Sequence, residues 1–121
     1  MILVDTSVWI DHLRSGDRGL ERLLDASTVL VHPFVEGELA CGNLRNRAAV
    51  LDLLGRLPAA PVAGHREVLA FIEYRALMGS GVGYVDAHLL ASVALEGTAR
   101  LWTRDRRLAA VAESLDLAGE A

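Results

Sequence analysis

Four stretches of the chain set a carboxylate where solvation alone explains it poorly. ILVDTSVW, residues 2–9, runs three branched apolar residues straight into Asp5. An acid delivered by a buried segment is costly unless a cation sits beside it. In YVDAHLLASVALEG, Leu89, Leu90 and Val93 follow Asp86 by three, four and seven positions, so on a helix Asp86 shares their stripe. It also falls in the first turn, where the helix dipole favours an anion. HPFVEGELACG offers two glutamates that periodicity does not separate. Glu38 lies four residues after Phe34 and three before Cys41, while Glu36 lies three before Leu39 and four before Ala40. LWTRDRRL puts Thr103 and Asp105 just past an apolar run, among Arg104, Arg106 and Arg107. Either Thr103 or Asp105 can cap the next helix, a role compatible with ligation.

Gathered together, such acids repel. Two carboxylates ~5 Å apart oppose each other by roughly 3 kcal/mol at an effective dielectric near 20. Several such pairs consume much of a small domain's stability of about 5–15 kcal/mol. Without a cation, some must stay protonated through raised pKa values. A divalent ion removes the conflict, and all-oxygen ligation points to Mg²⁺ or Mn²⁺ rather than zinc. Such a pocket suits phosphoryl chemistry, in which bound cations acidify a water and neutralise charge on the leaving oxygen.

The surrounding elements must carry these acids to one place. Ile2, Leu3 and Val4 read as a short strand buried on both faces. Residues 7–25 read as one or two helices broken near Ser15 and Gly16, and residues 28–31 as a second strand. Pro33 opens a helix to about Cys41, with Gly42 as its stop. Further helices are predicted over 47–57, 67–78, 85–95 and 106–115, with strands over 100–102 and, at a sheet edge, 58–63; residues 79–83 form a flexible loop. This alternation predicts one α/β domain spanning residues 1–121, a sandwich of helices around a short, mainly parallel sheet. Ligands in such folds gather beyond the carboxyl ends of the strands, where the strand order reverses. Asp5 and Asp105 each lie just past a predicted strand.

Composition removes other readings. Lys is absent and all 12 basic residues are Arg, which excludes a P-loop. Cys41 is alone, so no disulfide framework or cysteine metal site is expected. No apolar run approaches the roughly 18 residues of a membrane span. The apolar start meets Asp5 too early for a signal peptide, and a cytoplasmic protein is expected. The net charge of −4 opposes unassisted nucleic-acid binding. Setting aside Asp5, Glu38, Asp86 and Asp105, however, the 16 acids fall to 12 and balance the 12 arginines. The excess is thus concentrated where a metal would neutralise it. With 52% of residues hydrophobic and a positive mean hydropathy, some apolar surface is expected to need a partner, such as a second copy.

The four segments ILVDTSVWI, HPFVEGELACG, GYVDAHLLAS and LWTRDRRL, in that order from Ile2 to Leu115, carry a family likeness. The chain resembles the PIN-domain ribonucleases and, more narrowly, the VapC-type toxins of bacterial toxin–antitoxin pairs. The resemblance implies a PIN-like α/β/α sandwich, usually dimeric, that cleaves RNA endonucleolytically with Mg²⁺ or Mn²⁺ and no covalent enzyme intermediate. It makes Asp5 the first acid, supported by hydrogen bonds from Thr6 or Ser7. Its G-E-L-x-x-G setting selects Glu38 over Glu36, Asp86 is the third acid, and Asp105 is the last, with Thr103 as a supporting hydroxyl. It implies a VapB-type antitoxin lying in a groove of the early helices, with Trp9, Leu13, Leu39 and Leu44 as groove residues. Some relatives carry a further acid near the last motif, where this chain has Arg107.

Arg104, Arg106 and Arg107 are expected to meet RNA phosphates. A DNA-directed nuclease using the same acids, or a silent domain that binds without cutting, are the rival readings. Others fall on single residues. The HAD-type phosphatase pattern needs a second acid where Ser7 stands. Ser7 also lacks a G-x-S-x-G elbow. Glycines 79, 81 and 83 do not make G-x-G-x-x-G, because residue 84 is Tyr. His88 lies two positions from Asp86, on roughly the opposite side of its helix, and neither it nor His32 is expected to be a ligand.

Overall fold

A computed structural model describes all 121 residues. The chain forms β1 (Ile2–Val4), α1 (Thr6–Ser15), α2 (Arg18–Asp25), β2 (Val29–Leu30), α3 (Pro33–Ala40) and α4 (Arg47–Arg56). It continues through α5 (His65–Tyr74), α6 (Tyr84–Glu96), β3 (Arg100–Trp102) and α7 (Arg106–Ser114). The sheet is wholly parallel in the order β2-β1-β3, with Leu3 paired to both Leu30 and Leu101 and Val4 to Trp102. Leu3, Val4, Val29, Leu30, Leu101 and Trp102 are all buried, as expected of strands covered on both faces in an α/β/α sandwich. No helix is long and apolar enough to cross a membrane.

The central position of β1 decides where the site lies. From β1 the chain crosses to β2 on one side and later to β3 on the other, so the strand order reverses between β1 and β3. Residues leaving the carboxyl ends of these two strands therefore flank one crevice. The Asp5 N–H donates to the Trp102 carbonyl at 2.9 Å, carrying the β1–β3 pairing to the edge of that crevice.

Local chemistry sets most helix ends. His32 Nδ1 accepts from the Phe34 N–H at 3.0 Å and Pro33 starts α3. Asp17 caps α2 through the Leu20 N–H at 2.9 Å. The 79–83 segment is without regular structure, as predicted. Gly97 closes α6 at φ 95°, and nothing stands within 4 Å of a Cβ added there. Gly97→Ala thus probes the backbone alone and is expected to cost about 1–2 kcal/mol, read as an earlier urea midpoint; an unshifted midpoint would mean the turn relaxes freely.

Two elements differ from expectation. The 58–63 stretch makes one bridge, Val31 to Ala59, rather than a strand, because Pro58 and Pro61 have no N–H to donate. Helix α5 ends at Tyr74 rather than at 78: Ala76 turns left-handed at φ 54° and sends Leu77 into the core. Helix α6 also corrects the stripe argument. Residues 87–93 are all buried, so no face of that segment is distinguished, and Asp86 owes its place to the first turn of a buried helix.

Candidate active site

Asp5 and Asp105 lie between elements, Glu38 in the last turn of α3 and Asp86 in the first turn of α6. Asp5 follows β1 and is 8% exposed. Its Oδ2 accepts from Ser7 Oγ at 2.8 Å and from Thr103 Oγ1 at 2.7 Å. Ser7 Oγ in turn accepts from the Arg104 N–H at 3.0 Å, and Thr103 Oγ1 from the Asp105 N–H at 3.1 Å. Of the two hydroxyls considered for Asp5, Ser7 therefore takes the role. Thr6 donates instead to Glu38 Oε1 at 2.7 Å, tying α1 to α3.

Asp86, half-buried at the start of α6, accepts from the Gly83 N–H through Oδ2 at 3.2 Å. Asp105 caps α7, its Oδ1 accepting from the N–H groups of Arg107 at 2.9 Å and Leu108 at 3.0 Å. A common pattern emerges. In each of the four carboxylates one oxygen is pinned by the protein, and the other makes no hydrogen bond within the chain.

These acids feel one another. Burial pushes the Asp86 carboxyl above the usual carboxylate range; the Gly83 N–H opposes this, and the charges of Asp5, Asp105 and Glu38 push it further up. Of the two glutamates, Glu38 accepts from Thr6 and its charge acts on Asp86. No arginine forms an ion pair with any of the four acids. No three of them stand close enough to hold a single ion as a cluster.

Other expected residues divide. Arg106 and Arg107 make no ion pairs. Arg107 lies across the glycine loop, its Cδ 2.8 Å from where a Cβ on Gly81 would stand. Arg104 differs from them: its guanidinium already pairs with Asp11 at 2.7 Å and Asp17 at 2.5 Å. Beside Glu38 opens a cavity of about 420 Å³ lined by Leu13, Leu39 and Leu44, with Arg14 and Arg45 at its edge. Trp9 is corrected, since it is fully buried in the core and cannot line a groove. Arg14 and Arg45 were invisible to motif reading, because only the packing of α1 against α3 brings such distant residues to one hollow.

His32 and His88 are both buried. Burial, and then the neighbouring His88, lower the His32 pKa to about 4. Burial, and then His65, lower that of His88. Near neutral pH His32 is therefore uncharged and does not offset the acids. It serves as the cap of α3.

Comparison with known proteins gives the family. The family model described as PIN domain matches residues 2–114. Two curated relatives, both named ribonuclease VapC32, come from Mycobacterium tuberculosis strains CDC 1551 and H37Rv. Each is 57% identical over 115 residues, covering 94% of this chain and 93% of the relative. The chain belongs to the PIN domain family and, within it, to the VapC type.

Proposed function

We propose that the chain is a Mg²⁺- or Mn²⁺-dependent endoribonuclease, the toxin of a type II toxin–antitoxin pair, hydrolysing RNA phosphodiester bonds. The carrying observation is the set of four carboxylates, each with one oxygen pinned and one open, with no arginine paired to any of them. The relatives' name, ribonuclease, supports RNA as the substrate.

The donors fit the ion. Asp5, Glu38, Asp86 and Asp105 present only oxygen, and burial, and then the charges of the other three, raise the Asp86 pKa. Mg²⁺ is commonly held by one or two carboxylates together with waters and substrate oxygens. When bound, such a cation supplies an acidified water and neutralises charge building on the phosphate. Ser7 and Thr103 hold Asp5 in one orientation, Thr6 holds Glu38, and the amides of α7 hold Asp105. Supporting bonds of this kind fix ligand geometry before the substrate arrives.

Arg106 and Arg107 are the proposed phosphate contacts. Arg106→Ala is expected to weaken RNA binding and to reduce the salt slope of log K by about 1, read by fluorescence anisotropy in EDTA. An unchanged slope removes Arg106 from the interface. A VapB-type antitoxin is the proposed protein partner, with Leu13, Leu39 and Leu44 on the face it covers. A homodimer is also proposed, on exposed Tyr74 and Leu95, which line a hollow of about 300 Å³ shared by α5 and α6.

The deciding experiment incubates the purified chain with matched RNA and DNA strands, with and without Mg²⁺ or Mn²⁺. Cation-dependent cutting of RNA alone is expected. Equal cutting of DNA overturns the substrate, and binding without cutting overturns the catalysis.

A further inference from the structure

The turn between β3 and α7 carries Thr103 and Asp105, and the residue between them is tied to three other parts of the fold. Arg104 Nη1 donates to Asp11 Oδ2 on α1 at 2.7 Å, and Nη2 donates to Asp17 Oδ2, on the cap of α2, at 2.5 Å. Its guanidinium carbon stands 5.6 Å from the ring centre of Trp102, at the end of β3. Its backbone N–H donates to Ser7 Oγ at 3.0 Å. A planar fork matches two carboxylates and an aromatic face at once, which a lysine ammonium cannot do.

These contacts continue directly into the proposed site. The Arg104 N–H donates to Ser7, Ser7 donates to Asp5 Oδ2, Thr103 donates to the same oxygen, and the Asp105 N–H donates to Thr103. Every hydrogen bond on Asp5's pinned oxygen thus passes through the turn that Arg104 anchors or through the serine its amide holds. Both partners respond to the pairing. The Leu20 N–H, and then Arg104, lower the Asp17 pKa, while Asp17 raises that of Arg104.

We infer that Arg104 is a positioning residue, which locks the 103–105 turn onto α1 and α2 and so holds Asp5 and Asp105 ready for a divalent cation. The inference rests on the function proposed above. It also separates Arg104 from its neighbours Arg106 and Arg107, because contact with a phosphate would require Arg104 to give up Asp11 and Asp17.

The test measures Mn²⁺ uptake by calorimetry, and RNA affinity against salt in EDTA, for the parent and for Arg104→Ala, Arg104→Lys and the Asp11→Ala/Asp17→Ala double variant. Thermal melts identify which variants are folded. Arg104→Ala is expected to weaken Mn²⁺ uptake by about 10–100-fold with no change in the RNA salt slope. The double variant should match it, and adding Arg104→Ala to that background should cause little further loss, because the three residues act as one unit. Arg104→Lys keeps the charge and one ion pair, so it should fold and fall between parent and Ala; it carries the test if Ala does not fold. Mn²⁺ affinity within about twofold of the parent in a folded Arg104→Ala or Arg104→Lys overturns the inference, since a positioning residue must cost more than that. So does a salt slope reduced by about 1, which would make Arg104 a phosphate contact. A parent that takes up no Mn²⁺ overturns the proposed function itself, and the two failures are thereby told apart.

Discussion

Asp5→Asn is expected to lower RNA cleavage by about a thousandfold, several kcal/mol of transition-state stabilisation at about 1.36 kcal/mol per factor of ten, while the melting temperature barely moves. Asparagine has the shape of aspartate, and its carbonyl oxygen can still accept the hydroxyls of Ser7 and Thr103. Its amide group then stands where the open carboxylate oxygen was. It presents two N–H donors to a position that must accept a cation, and it removes one negative charge. The fold loses little, because both hydroxyls keep their acceptor. Cleavage rates on a labelled RNA, beside a thermal melt, check both halves. An asparagine variant that cuts at the parent's rate ends the mechanism.

The second large effect is removal of the divalent ion. Chelation is expected to stop cleavage completely and to lower the melting temperature by roughly 10 °C. An ion present at about a hundred times its Kd stabilises by about 2.7 kcal/mol, and 1 kcal/mol moves the melt of a domain of this size by about 4 °C. Asp86→Asn should behave in the opposite way under chelation, melting higher than the parent although inactive. Burial, and then the charges of Asp5, Asp105 and Glu38, hold the folded Asp86 pKa above its unfolded value. The folded state therefore binds this proton more tightly. The stability it brings is complete below the unfolded pKa and is lost as pH rises through the folded one. Above the folded pKa the chelated parent has lost it, whereas the asparagine variant carries no proton there to lose. The side-chain carbonyl also remains an acceptor for the Gly83 N–H, so the start of α6 is preserved. Melts against pH in EDTA should show a falling limb above the ordinary carboxylate range in the parent only, and Mn²⁺ should flatten it. A limb of equal size in Asp86→Asn would assign it to other groups.

Much of the molecule is legible from residues close together in the chain. Three branched apolar residues make β1, Pro33 opens α3, Asp105 caps α7, Gly97 stops α6, and Asp5 follows β1 directly. Each depends on neighbours within about four positions, through backbone preference or a capping bond. The choice of Glu38 came from a family likeness instead, because helical spacing treats Glu36 and Glu38 alike.

Packing decided the rest. Ser7 rather than Thr6 holds Asp5, because Thr6 finds Glu38 32 positions away on α3. Trp9 fills the core rather than a groove, since α1 turns its side chain inward. Arg104 meets carboxylates 93 and 87 positions earlier in the chain, a pairing with no local signature. The order β2-β1-β3, which brings Asp5 and Asp105 to one crevice, is likewise a choice among ways of stacking the same elements. Helix starts, turns and motifs arise from short-range bonding that the chain writes into consecutive residues. Which hydroxyl reaches which carboxylate depends on surfaces meeting across the whole domain, and only the tertiary structure decides that.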